Sequence, residues 1–394
     1  MSSLLETTSL PEVCELVTDG THDSPKLQSY GVPFIKGKHI SSEKIDFENC
    51  DYIKEEDHQR CVKRVKPQFN DVLFSNIGSI GDAARVVTET EFSIKNVALF
   101  RPNPAKIDPL YFYYLVISPY FRGRFLNVRS GSAQPFISLE SFRSLKFKCL
   151  RDKKAQENAG TILSAYDDLI ENNRRRIQLL EKAARLLYKE WFVHLRFPGH
   201  EHTQIINGVP ERWEKKPLRE IADVTMGQSP KSIYYNKDGN GLPFHQGVTN
   251  FGVRFPTHQT YCTVQNRIAK PGDILFSVRA PVGRINITHD KIVIGRGLAA
   301  IRSICDHQNY LFYALKSHFF KEDMIGGGAI FAAITKKDLH GVELIQPTDR
   351  IAAMFMEHVF PIDLQIANLH QTIERLAKAR DLLLPKLMNG EVAV

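Results

Sequence analysis

Loops that mix glycine with hydroxyl, amide and basic side chains recur at matching places in the two halves of this 394-residue chain. The first half carries Gly20-Thr21-His22-Asp23-Ser24-Pro25-Lys26, Lys36 and Lys38 on either side of Gly37, the turn 76–81, and Arg129-Ser130-Gly131-Ser132-Ala133-Gln134. The second half carries Gly227-Gln228-Ser229-Pro230-Lys231, His245-Gln246-Gly247, residues 279–284, and Arg296. Lys, Arg, small hydroxyls and backbone N–H groups contact phosphates, while Arg and Lys read guanine edges and Asn and Gln read adenine edges. The candidate DNA-binding residues are therefore Thr21, His22, Lys36, Lys38, Asn76, Ser79, Arg129, Ser130, Ser132, Gln134, Gln228, Ser229, Lys231, Gln246, Arg279, Arg284 and Arg296. Any one of them alone reads as an ordinary surface residue. Their recurrence beside glycine in two copies is the signal.

The sequence carries no recognisable catalytic constellation. The chain has no Gly-x-x-x-x-Gly-Lys-Ser/Thr phosphate loop and no Gly-x-Gly-x-x-Gly. Asp108-Pro109-Leu110-Tyr111 approaches the base-gripping loop of amino methyltransferases but lacks its second proline, and an acid followed by proline is a helix start. His200-Glu201-His202 offers two histidines one residue apart with no third ligand at helix spacing, so no metal site is assigned. His22 beside Asp23 lacks a nucleophile. The expectation is a chain that binds and positions while another performs chemistry.

Two long helices must carry these loops. Ile162, Leu169, Ile177, Leu180, Leu187 and Trp191 fall with Tyr166, Asn173 and Ala184 on alternating steps of three and four, the seam of a coiled coil. Ile366, Leu369, Ile373, Leu376, Leu383 and Leu387 repeat the pattern near the C-terminus. Ile177 and Ile373, like Leu180 and Leu376, are separated by 196 residues (373 minus 177), about half the chain. Other strings recur too: GVPFIKG with GLPFHQG, NDVLFS with GDILFS, and YFYYL with LFYAL. The spacing predicts a duplicated unit, a mixed α/β globular part followed by a long helix, with the two helices pairing. Strands are expected over 32–40, 72–75 and 83–87, and a helix capped by Asp108 with Pro109 at its first position. Pro361 and Pro385 should start, kink or end the second long helix. The boundaries expected are 1–152 and 214–348 for the globular parts, 153–195 and 349–394 for the helices, and 196–213 for a linker.

Hydrophobic content of 43% with 24% charged residues is that of a globular protein, and a net charge of +8 favours a polyanionic partner. Six cysteines without a Cys-x-x-Cys pair suit a reducing compartment. The longest apolar run, residues 110–117, is too short to span a bilayer, so a soluble, cytoplasmic protein is expected.

These strings resemble the DNA-specificity (S) subunit of type I restriction-modification systems. The likeness rests on GTHDSP and GQSP opening each half, the paired NDVLFS and GDILFS strands, GSAQPFIS before the first long helix, KEWFVHLRFPGHE after it, and the closing LLLPKLMNGEV. It covers essentially the whole chain. The resemblance implies two α/β target-recognition domains joined by an antiparallel coiled coil of two long helices, in a pseudo-two-fold internal repeat. It further implies that each domain reads one part of a split, asymmetric double-stranded DNA target, and that the helices set the gap. Two methyltransferase subunits would dock, bringing S-adenosylmethionine, and restriction subunits would add ATP- and magnesium-dependent translocation and cleavage. The chain itself would bind no cofactor and hold no catalytic residue. Two other readings stay open at this stage: an interaction protein with two ligand modules on a helical hairpin, and a stand-alone DNA methyltransferase or nuclease.

Overall fold

The computed structural model describes residues 4–77, 80–126, 136–319 and 333–392. The chain divides into two units, one of residues 1–174 and 370–394 and the other of residues 175–369. Each contains a segment of both long helices.

In the first unit, Cys14–Asp19, Ala98–Pro102, Val72–Phe74 and Ala83–Arg85 form a four-stranded antiparallel sheet in that order. A second sheet runs Asp51–Ile53, Val32–Lys36, Ser93–Lys95, its last pair parallel. Leu5–Ser9 pairs with Lys146–Leu150. The strand alternation closes two apolar layers, one of which packs on helix Pro109–Ile117. That helix starts as its sequence dictates: the Asp108 carboxylate accepts the Tyr111 N–H at 2.7 Å and Pro109 fills the first position.

The second unit repeats this topology. Ala222–Met226, Leu298–Ser303, Ile274–Ser277 and Ile285–Ile287 form the antiparallel sheet. Leu242–His245 lies parallel to Ile292–Ile294 in the mixed sheet, and Glu214–Pro217 pairs with Glu343–Gln346. Helix Gln308–Phe319 takes the place of Pro109–Ile117. Even the loop braces correspond. Arg101 pairs with Asp71 at 2.8 Å in one unit, and Arg302 with Asp273 at 2.5 Å in the other.

The long helices are Lys153–Tyr188, continued by a π-helical turn Lys189–Val193, and Asp349–Met388. Within the first unit Ala159 and Leu163 share a core with Leu384, Leu387 and Met388, and Asp167 pairs with Arg380. Within the second, Tyr188 and Trp191 stack on Phe355, and Ala184 shares their core with Ile351 and Val359. In both, later residues of one helix meet earlier residues of the other, an antiparallel packing. Gly160 permits a close crossing, since a Cβ there would stand 2.9 Å from the Tyr111 backbone nitrogen.

One expectation needs correcting, and the structure adds detail to two others. Ile162, Ile177, Leu180, Leu187, Ile366, Leu369, Ile373, Leu376 and Leu383 are buried or half-buried, but Leu169 is 50% exposed and its neighbour Ile170 is buried. Upstream of Asn173 the buried line is Gln156, Ala159, Leu163 and Ile170, one position beyond the heptad reading. A helix of 3.6 residues per turn drifts against a seven-residue repeat, and here its face turns onto the aromatic helix of the globular part. Pro361 and Pro385 both lie inside a helix that runs through them. A proline forfeits one backbone bond, and the freed carbonyl beneath Pro361 belongs to the exposed Glu357, where water can satisfy it. The stretch read as a linker is anchored: it holds the hairpin Ile205–Ile206/Val209–Pro210, and Phe197 and Trp213 are buried with ring centroids 4.6 Å apart.

A charged cluster fastens the second unit's globular part to both helices. Arg254, 1% exposed, donates to Glu181 at 2.5 Å, to Asp363 at 2.6 Å and to the Tyr313 hydroxyl at 2.8 Å, and lies over the Phe312 ring. Burial pushes the Glu181 carboxyl upward, but Arg254 and Lys316 more than reverse this and hold it below its usual range. Removing one partner of such a cluster leaves uncompensated buried charge, which costs about 3–5 kcal/mol. Both tryptophans, Trp191 and Trp213, lie in this unit's core. Arg254→Met should therefore lower the stability read by tryptophan fluorescence in urea by about that amount. Adding Glu181→Gln and Asp363→Asn should restore part of the loss, and a single variant as stable as the parent would show the cluster to be dispensable.

Candidate nucleic-acid interface

Three loops converge at the carboxyl ends of the parallel strands in each unit. In the second unit the loop after Met226 is stitched to the turn 295–297: Gly227 N–H donates to the Leu298 carbonyl at 2.9 Å and Gln228 N–H to the Ile294 carbonyl at 3.0 Å. The third loop joins through Gly295 N–H to the His245 carbonyl at 2.8 Å and Gly297 N–H to the Gln246 carbonyl at 3.1 Å. Side chains would not fit at this crossing. A Cβ on Gly295 would lie 2.7 Å from the Gln246 Oε1, and one on Gly297 2.4 Å from the Gln246 carbonyl oxygen.

The junction opens into a cleft of about 940 Å³ whose wall includes Gln228, Ser229, Gln246 and Arg296. The structure thus gathers four of the sequence candidates. Ser229 Oγ donates to Gln246 Oε1 at 2.7 Å and accepts the Arg296 N–H at 3.1 Å. Lys231, Arg279 and Arg284 are exposed but do not line the cleft. The Arg284 N–H is held by Ser277 Oγ at 2.9 Å, which fixes its turn.

The first unit builds the same crossing from different side chains. Gly20 N–H donates to the Val97 carbonyl and Thr21 N–H to the Ile94 carbonyl, each at 3.0 Å. Register pairs Lys36 with Lys95. His22 Nδ1 meets Asn96 Oδ1 at 2.8 Å, and Lys95 reaches the Ser24 hydroxyl. Lys36 and Lys38 stand 2.8 and 3.4 Å from Asp51, which offsets part of their charge.

Two candidates prove to be scaffold. Thr21 is buried and its Oγ1 accepts the Asp23 N–H at 3.1 Å, closing the loop on itself. Asn76 is buried and its Nδ2 donates to the Ile137 carbonyl at 3.1 Å while its own carbonyl accepts the Ile137 N–H. Short polar side chains in loops serve backbone bonding as readily as ligands. Ser79, Arg129, Ser130, Ser132 and Gln134 lie outside the described residues. Sequence reading missed Lys95 and Asn96, although aligning Ile94-Lys95-Asn96-Val97 with Ile294-Gly295-Arg296-Gly297-Leu298 would have found the turn.

The model of the family described as type I restriction modification DNA specificity domain matches residues 3–182 and again residues 210–376, once per copy of the repeat. The chain belongs to this family. Among curated relatives, the protein assigned as the MjaX type I restriction enzyme specificity subunit of Methanocaldococcus jannaschii is 32% identical over 99% of this chain and 94% of its own. The MjaIX specificity subunit of the same organism is 26% identical over 96% and 91%. A crystal structure of the type I restriction-modification S subunit from M. genitalium shares the fold, with a TM-score of 0.59 at 15% identity, covering 98% of this chain and 96% of that one. Among the described residues no helix is long and apolar enough to cross a membrane.

One feature of this specificity chain separates its two copies. Phe34-Ile35-Lys36 and Phe244-His245-Gln246 occupy equivalent positions in the parallel pairs, so His245, 2% exposed, stands where the first copy buries Ile35. His245 Nε2 lies 2.8 Å from His258 Nδ1, and His258 Nε2 lies 3.0 Å from Asp290. With the Asp290 carboxylate accepting from His258 Nε2, His258 Nδ1 is left to accept and His245 Nε2 to donate. Burial, then the neighbouring His258, lowers the His245 pKa to about 4. In the unfolded chain it titrates near 6.5. Between those values the unfolded state binds the extra proton, so stability is full above about pH 6.5 and falls as pH drops toward 4. At about pH 5 this amounts to about 2 kcal/mol. His245→Ile should remove it: fluorescence-detected Tm should fall between about pH 7.5 and about pH 5 by roughly 4–8 °C less than in the parent. Equal losses in both proteins would contradict the assignment.

Proposed function

We infer that this chain is the DNA-specificity subunit of a type I restriction-modification complex, in which each globular part reads one word of a split, asymmetric duplex target. The observation that carries this is the repeated loop crossing with different chemistry in each copy. Lys36, Asn96 and His22 occupy it in the first unit, and Gln246, Arg296 and Gln228 in the second. A common scaffold with unlike side chains suits two different words.

The two long helices are the spacer in this reading. They hold 36 and 40 residues, or roughly 54 and 60 Å at 1.5 Å per residue, more than the ~34 Å turn of B-DNA. Tethering turns two weak short readouts into one specific site, because placing the first raises the effective concentration of the second. Methyl transfer then belongs to two partner subunits carrying S-adenosylmethionine, with ATP and magnesium used by restriction subunits. The chain itself supplies address and no catalytic group.

Affinity for duplex DNA, measured with the modification subunits present, should fall steeply with salt as phosphate contacts are replaced by counterions. A flat response would contradict DNA recognition. Inserting four residues after both Ile177 and Ile366 adds about 6 Å to each helix. Mapping of methylated bases should then show a gap longer by about two base pairs and unchanged words. An unaltered gap would show that the helices do not set it.

A further inference from the structure

We propose that Arg296 is a specificity-determining residue of the second recognition domain and that it selects a guanine. The inference rests on the reading of the chain as a DNA-specificity subunit and names one letter of its target.

Arg296 is held by its backbone and free at its tip. Its N–H is bonded to Ser229 Oγ, and the glycines on either side press against Gln246 where no Cβ fits. The side chain is exposed on the cleft wall, and among the described residues no hydrogen bond or carboxylate engages its guanidinium. Among the described residues Arg296 is the arginine of the cleft wall; Arg254 is committed to Glu181 and Asp363 and Arg302 to Asp273, while the exposed Arg279 and Arg284 do not line the cleft. The pinned turn leaves little backbone freedom to lose on binding, and the planar fork of the guanidinium is pre-organised for bidentate hydrogen bonding.

The chemistry of the wall narrows the base. No Asp or Glu lines the cleft among the described residues. The Ser229 hydroxyl donates to Gln246 Oε1, which leaves the two amide hydrogens of Gln246 beside the five donors of Arg296. In the major groove guanine presents two neighbouring acceptors, O6 and N7, that a guanidinium fork can bridge, whereas thymine presents one acceptor beside a methyl group, cytosine an amino donor and adenine one donor with one acceptor. A donor-rich wall without carboxylates fits guanine. The twin turn is one residue shorter, with Lys95 and Asn96 between Ile94 and Val97 where residues 295–297 stand between Ile294 and Leu298, and its Asn96, at φ +50°, is bonded to His22 instead. The crossing is retained between copies and the group at its tip is replaced, as a variable reading position requires.

The test uses the full chain with its modification subunits, selecting bound sites from a randomised duplex library and mapping methylated bases, for the parent, Arg296→Ala and Arg296→Gln. The side chain is exposed, so both variants should keep the parent's Tm. The expected result is loss of discrimination at one guanine of the second word, by roughly 10- to 100-fold, with the first word and the gap unchanged. Retention of the guanine would overturn the proposal. So would uniform weakening across all sequences with a shallower salt slope, which is the behaviour of a phosphate contact. A parent complex that selects no DNA sequence would instead overturn the specificity-subunit reading itself.

Discussion

A guanidinium held among carboxylates and beside a tyrosine fastens each globular part to both long helices. In the second unit Arg254 comes from a loop and bridges Glu181 of the first helix and Asp363 of the second, with the Tyr313 hydroxyl on both Arg254 and Asp363. In the first unit Arg380 comes from the second helix, pairs with Asp167 of the first at 2.5 Å, and reaches Glu43 of the globular part at 2.8 Å, while Tyr114 donates to Asp167 at 2.6 Å. Asp167 and Asp363 lie at the 196-residue offset of the repeat (363 minus 167), and their tyrosines come from the repeated aromatic helix. The acid and the phenol belong to the duplicated plan, and the arginine entered by two different routes. In this reading the clasp matters because a reading head that swivels on its rod cannot hold a register of a few ångströms.

The loop that delivers Arg254 also ties that clasp to the cleft. Thr249 and Asn250 before it and Gln259 and Thr260 after it line the cleft wall, and His258 within it forms the bond to buried His245. A buried imidazole where the twin has isoleucine is costly unless it is bonded. Its partner on this loop supplies that bond, and the loop's two ends thereby become part of the recognition surface.

Much of this organisation is legible in the sequence because duplication leaves two samples of every constraint. The paired glycine strings marked the crossing loops, and Asp108-Pro109 marked a helix start, since both depend on local backbone chemistry. Leu169 misled because heptad counting assumes a partner helix as the only neighbour, whereas Ile170 faces inward in this stretch. Pro361 neither starts nor ends its helix, because local propensity yields to packing along a long helix. Thr21 and Asn76 read as ligand contacts in the sequence because composition cannot tell a hydroxyl or amide that closes its own loop from one that faces outward. Arg254 was invisible for the opposite reason, since nothing in its neighbourhood announces carboxylates 73 and 109 residues away.

In this reading two diverged readers share one frame, and the most direct test is the wild-type target itself. Single-molecule sequencing of DNA methylated by the chain together with its modification subunits should reveal two short, non-identical words separated by unread base pairs of fixed number. One uninterrupted word, or two words at variable separation, would contradict it.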